Sequence, residues 1–229
     1  MPKTETISRR EKTFFESLRD WILGLPRDIK ILLEMAGDNE LSISSRSLAV
    51  GALIYVIMPL DLIPEKLRVI GLVDDVIVIR ITLAVICEID SERCIHYKKK
   101  YPQTFVALEE EIALLKSTLG ALYSWLVALV KSLREKAFKK RTAEQVAQSS
   151  DLREELFDEA MEYVANINLD PETVSRALLT APPERIVHLL SSGLEDDQKR
   201  EVQQSKIAEK LAAPQATFRK LLSRGDARR

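Results

Sequence analysis

The chain has 229 residues, 46% of them apolar and 30% charged, which is enough to bury a sizeable core in one domain or in one large and one small domain. Its 34 basic and 35 acidic residues nearly cancel, so no global field draws it to nucleic acid. Only 7 Gly and 9 Pro punctuate a sequence dominated by Leu, Ala, Glu, Lys and Arg, a composition that favours helix.

Charged Arg9, Arg10, Glu11 and Lys12 precede the first apolar group, and no apolar segment with a small-residue cleavage site follows, so a signal peptide is not expected. Phe14, Phe15, Leu18, Trp21, Ile22 and Leu25 predict an amphipathic helix ending near Pro26. Ile29, Leu32, Leu33 and Met35 continue an apolar face to the break at Gly37-Asp38-Asn39. Ser42 or Ser44 can cap the next helix, through Leu48, Leu53 and Val56, until Pro59 removes a backbone donor. Gly51 and Ala52 carry little side chain there and invite the close approach of another element. The uncharged runs Ser47–Leu60 and Ser117–Val130 hold 14 residues each, short of the roughly 20 that span a bilayer. Val76–Cys87 is interrupted by Arg80, so buried or interfacial helices are expected.

The stretch Tyr55–Asp75 sets three aspartates, Asp61, Asp74 and Asp75, among apolar residues, where each must cap a helix, pair with a cation, bind a ligand or stay wet. Pro59 ends a helix, Asp61 can cap a short turn holding Pro64, and Gly71 allows a tight angle or a close crossing. Asp74 and Asp75 are expected in or beside the first turn of the following helix, favoured by the dipole, with Arg46, Lys66, Arg68 and Arg80 as cationic partners. Three converging aspartates also suit a magnesium or manganese ion that activates water for phosphoester hydrolysis. The pattern Tyr55, Pro59, Asp61-Leu62-Ile63-Pro64, Gly71 and Asp74-Asp75 resembles the signature of the YkvA-like domain of unknown function, over about residues 45–90. The resemblance implies a short helical module of bacterial proteins, some members of which look membrane-associated, and it supplies no catalytic roles.

A third apolar element runs from about Leu72 to Ile89. Cys87 and Cys94 lie in or beside it and read as reduced thiols, in keeping with a cytoplasmic location. Cys94-Ile-His96 is too sparse for a zinc site, and His96 and His188 do not fit the Glu-x-x-His spacing of di-metal bundles. Leu108, Ile112, Leu115, Leu119, Leu122, Leu126, Leu129 and Leu133 alternate four and three apart, which predicts one seam along a helix of about 35 residues, used internally or shared in a homodimer. Basic residues gather at Lys98, Lys99, Lys100 and at Lys131, Arg134, Lys136, Lys139, Lys140 and Arg141. All of these but Lys136 make up the candidate interaction surface, for protein or an anionic membrane, with Tyr101, Tyr123 or Trp125 available to stack or lie at an interface.

The pattern loosens around Thr142–Ser150, and Asp151 starts a helix carrying Leu152, Leu156, Met161 and Val164. Asp151–Glu172 holds eight acidic residues and one basic, against six basic and one acidic in Lys131–Arg141, so the two segments are expected to pair within the chain or across a dimer. Asp170-Pro171-Glu172 and Pro182-Pro183-Glu184 are helix starts. A weak stripe, Val202, Ile207 and Leu211, should break at Pro214 before a last short helix with Phe218, Leu221 and Leu222.

The expected architecture is all-α, a multi-helix bundle with one long helix: residues 1–141 hold the YkvA-like signature and 151–229 form a smaller helical domain. The expected role is non-enzymatic interaction or assembly in the bacterial cytoplasm, without cofactor and with protein, a second copy of the chain included, as partner. A peripheral membrane adaptor and a divalent-metal hydrolase using Asp61, Asp74 and Asp75 are the alternatives.

Overall fold

The computed structural model describes residues 13–57, 68–167, 169–191, 198–199 and 206–226. Its elements are the helices α1 (Phe14–Gly37), α2 (Ile43–Ile57), α3 (Arg68–Ile89), α4 (Ser91–Lys100), α5 (Pro102–Phe105), α6 (Leu108–Leu119) and α7 (Ala121–Ser132). A 3-10 turn (Leu133–Glu135) and a hairpin of β1 (Ala137–Phe138) and β2 (Arg141–Thr142) follow. Helices α8 (Ala143–Gln148), α9 (Ser150–Asn166), α10 (Pro171–Thr180), α11 (Pro183–Leu190) and α12 (Ile207–Asp226) complete the chain. The fold is an all-α bundle, and the hairpin is its one sheet among the described residues.

Helix α1 opens on a capping box: the Glu16 amide donates to Thr13 Oγ1 at 3.3 Å, and the Thr13 amide donates to Glu16 Oε2 at 2.8 Å. It then runs through Pro26 rather than ending there. A mid-helix proline forfeits one backbone bond, but Trp21, Ile22, Leu25, Ile29 and Leu32 are fully buried on both sides of it, and that burial holds the two halves in line. Helices α2 and α3 are apolar around most of their circumference, as befits central elements covered on all sides. Ser42 caps α2, its Oγ accepting from the Ser45 amide at 3.3 Å.

Gly51 permits the approach its size suggested. A Cβ there would lie 2.2 Å from the Leu133 carbonyl oxygen, so α2 packs directly on the backbone of the 3-10 turn. The leucine seam is internal, but it runs over two helices instead of one. Gly120 takes φ +56°, breaks the helix, and starts α7 in a new direction. Leu108, Ile112, Leu115, Leu119, Leu122, Leu126 and Leu133 are buried, while Val130 takes the buried place expected of Leu129.

One polar cluster lies deep in this apolar assembly. Arg80, 2% exposed, meets Asp28 at 2.9 Å, Glu111 at 3.3 Å and the Thr104 carbonyl at 3.1 Å, and its guanidinium lies 5.7 Å from the Trp21 ring. Thr104 Oγ1 donates to Asp28 at 2.9 Å. A second polar set fixes the α1–α2 corner to α4: Asp38 accepts from Arg93 Nε at 2.7 Å and Tyr97 at 2.8 Å, and Asp90 accepts from the Ser42 hydroxyl at 2.7 Å.

Cys87 and Cys94 form a disulfide, not the reduced pair expected. The chain turns at Asp90 and α4 folds back on α3, which brings residues seven apart to a Cα separation of 5.2 Å, within bridging range. Downstream, α10 starts as expected, with Asp170 accepting from the Thr173 amide at 2.7 Å. Pro214 does not break α12, which runs through it; the carbonyl that loses its usual donor, four residues earlier, belongs to an exposed residue, Lys210. Buried Gln215 donates to the carbonyls of Leu178 and Ala181, both at 2.8 Å, and Phe218 stacks on Phe15 at 6.3 Å, so α12 closes onto α10 and α1.

Candidate functional site

Pro59, Asp61 and Pro64 of the signature lie outside the described residues, as do Lys66 and the Arg68 side chain, two of the expected cationic partners. Tyr55, Gly71, Asp74 and Asp75 are placed. Helix α3 begins at Arg68, so Asp74 and Asp75 fall in its second turn instead of at its N-terminus, beyond the reach of the free amide donors. Of the expected cations, the two within the described residues are engaged elsewhere. Arg80 is taken by Asp28 and Glu111, and Arg46 donates to the carbonyls of Ala36 and Ala147.

What meets Asp74 is Tyr55, the last aromatic of α2, whose hydroxyl donates to Oδ2 at 3.0 Å. Both acids are half-buried. Burial raises the Asp74 carboxyl above the usual range, against the opposing effect of the Tyr55 bond and of the backbone amides of Asp74 and Asp75. Burial also pushes Asp75 well up, and the neighbouring Asp74 charge adds to it. The phenols respond in kind: burial and then the two aspartates raise Tyr55 and, from α9, Tyr163. The result is a pair of acids that resist ionising together, walled by two tyrosines. Among the described residues no group of three His, Cys, Asp or Glu side chains is arranged to hold a metal ion.

Lys136 links this site to the hairpin, its Nζ lying 5.9 Å from the centre of the Tyr55 ring. The hairpin pairs Ala137 with Thr142 and Phe138 with Arg141, leaving Lys139 and Lys140 as a two-residue turn. Their φ angles are +48° and +68°. A turn of this length matches strand twist best with both central residues left-handed, a role that Asn-Gly fills cheaply; side chains with a Cβ cost about 1 kcal/mol or more each. The base is firmly held. Phe138 is buried, the Ala143 amide donates to the Lys136 carbonyl at 2.8 Å, and Thr142 forms a capping box with Gln145 at the start of α8.

The basic residues fall into two groups. On α4, Lys98 pairs with Glu109 at 3.2 Å and Lys100 with Glu34 at 2.8 Å, while Lys99 points to solvent. In the other group Arg134 donates to Ser44 Oγ at 2.9 Å, and Lys139 reaches Glu155 at 2.9 Å and Glu159 at 3.1 Å on α9, the pairing within the chain expected from the opposite charge runs. Lys131, Lys140 and Arg141 are exposed and make no ion pair with any described residue. Sequence reasoning missed Lys136 and Tyr163 as neighbours of the acids, since nothing in linear spacing ties them to α3. It also missed the hairpin, although Thr142 followed three residues later by Gln145 is a legible helix start.

Residues 45–81, covering α2 and the first part of α3, match the family model described as "Protein of unknown function (DUF1232)", which agrees with the YkvA-like resemblance. No curated protein and no solved structure matches the chain. No helix among the described residues is long and apolar enough to cross a membrane.

Proposed function

We propose that this chain is a non-enzymatic interaction or assembly protein that docks an acidic protein partner through the Lys139–Lys140 hairpin. The supporting observation is the turn itself, two lysines held left-handed at the tip of a hairpin whose base is anchored in the core. Backbone strain of this kind persists where the surroundings over-determine it, and it marks places where presentation of a side chain counts for more than local stability. Glu155 and Glu159 neutralise Lys139, which leaves Lys140 and Arg141 as the outward charges. Much of the remaining polar chemistry serves as internal fastening: Asp28, Arg80 and Glu111 in the core, and Asp38, Asp90 and Arg93 at the α1–α2 corner.

A photo-crosslinking amino acid at position 140, introduced into source cells, tests the proposal. One discrete acidic polypeptide should be captured, with a yield at least tenfold lower in a second protein that also carries Arg141→Glu, at an unchanged melting temperature. Adducts only to lipid or nucleic acid, or a protein adduct indifferent to Arg141→Glu, would overturn it.

A further inference from the structure

Arg46 on α2 and Arg153 on α9 converge on one acceptor. Both donate to the Ala147 carbonyl near the end of α8, Arg153 at 2.7 Å. Arg46 also donates from Nε to the Ala36 carbonyl near the end of α1, at 3.2 Å. Two guanidiniums are thereby held side by side, and neither forms an ion pair with any described residue. Two acids near them in space or in sequence are engaged elsewhere. Asp38 feels Arg46 electrostatically but is bonded to Arg93 and Tyr97, and exposed Asp151 accepts from the Ser150 hydroxyl.

Each arginine also lies in the first turn or so of its helix, the electrically positive end, where a cation is disfavoured. Burial and then the Arg153 charge lower the proton affinity of Arg46, but a guanidinium keeps its proton at any ordinary pH, so the repulsion stays unrelieved. One carbonyl uses a single N–H from each group. The remaining donors of the two planar forks bond to no described residue, and such forks suit the oxygens of a phosphate group. Tying down α8 alone would need one arginine at its C-terminal carbonyl, not two of like charge.

We propose that Arg46 and Arg153 form a binding site for a phosphate monoester. The site stands apart from the hairpin and does not depend on the function proposed above.

The test is thermal stability and phosphorus NMR of the full chain, titrated with inorganic phosphate against potassium chloride at matched ionic strength and pH. Phosphate should give a saturable stabilisation that chloride does not. Arg153→Gln should weaken its apparent affinity at least tenfold, while Arg153→Lys retains part of it. Two further probes identify the source of the phosphate: a soluble sugar phosphate, and vesicles of neutral lipid with added phosphatidate. Binding of either supports the site, and the tighter one names its ligand class. A phosphate effect no larger than that of chloride, or one unchanged by Arg153→Gln, would overturn it. If Arg153→Gln does not fold, the arginine Nε–H resonances of the intact protein decide. Phosphate must shift those of Arg46 and Arg153 and leave that of Arg27 in place; no selective shift would sink the proposal.

Discussion

Asp75 is an acid whose surroundings favour its neutral form. Burial and the adjacent Asp74 both raise its proton affinity, whereas in the unfolded chain it titrates near pH 4. Folding therefore takes up a proton between that pH and the higher folded value. This contribution to stability is present in acid, declines as pH rises through the window, and is lost above the folded value. Asp75→Asn keeps the shape and removes the charge, so it should raise stability at pH 7 by about 1 kcal/mol and flatten the acid-side slope. Urea unfolding of both proteins from pH 4 to pH 8 reads this directly; a less stable Asp75→Asn protein at pH 7 would show that the ionised acid has a stabilising partner. The sequence exposed the problem these carboxylates pose, because aspartates in an apolar run are conspicuous. The expected place at the helix N-terminus is not the one they take, since Asp74 and Asp75 lie beyond the first turn of α3 and Tyr55 and Tyr163 arrive from separate helices.

At the scale of the elements, α2 is held by a contact that tolerates no added atom. The missing side chain of Gly51 lets the Leu133 carbonyl and its carbon come within 2.2 and 2.6 Å of where a Cβ would stand. The obstacle is backbone and cannot rotate away, so Gly51→Ala must push α2 off the 3-10 turn. A loss of about 3 kcal/mol is expected, at the upper end for overpacking, measurable as a lower denaturant midpoint; an Ala protein as stable as the parent would mean the turn is free to move. Helix identities were readable from caps and apolar spacing, as at Asp170 and the leucine seam. Breaks were harder to place, because each hangs on a choice that tertiary packing makes. Pro26 and Pro214 sit inside helices that packing keeps whole, while Gly120 divides a helix that the heptad pattern alone would carry straight on.

For the molecule as a whole, the buried Arg80 draws α1, α3, α5 and α6 to one point. Its counter-charges come from Asp28 on α1 and Glu111 on α6, with the Thr104 carbonyl of α5 beside them. Replacing one member of a buried ionic set strands the rest in a medium that solvates charge poorly, which costs more than the set contributed when intact. Asp28→Asn should therefore destabilise the protein by about 3 kcal/mol, read as a shift in the urea midpoint; a shift below about 1 kcal/mol would mean that water reaches the guanidinium. Arg80 is a lone charge in the apolar run Val76–Cys87, so the need for a counter-ion was legible. Its partners, 52 residues upstream and 31 downstream, were not.

That meeting point also governs how the structure can come apart. Four segments share this knot, and peeling α1, α3 or α6 away breaks an ion pair in oil, so this part of the protein opens as a block or stays shut. Conformational freedom is thereby pushed outward, to elements fastened by greasy contact and a few neutral bonds.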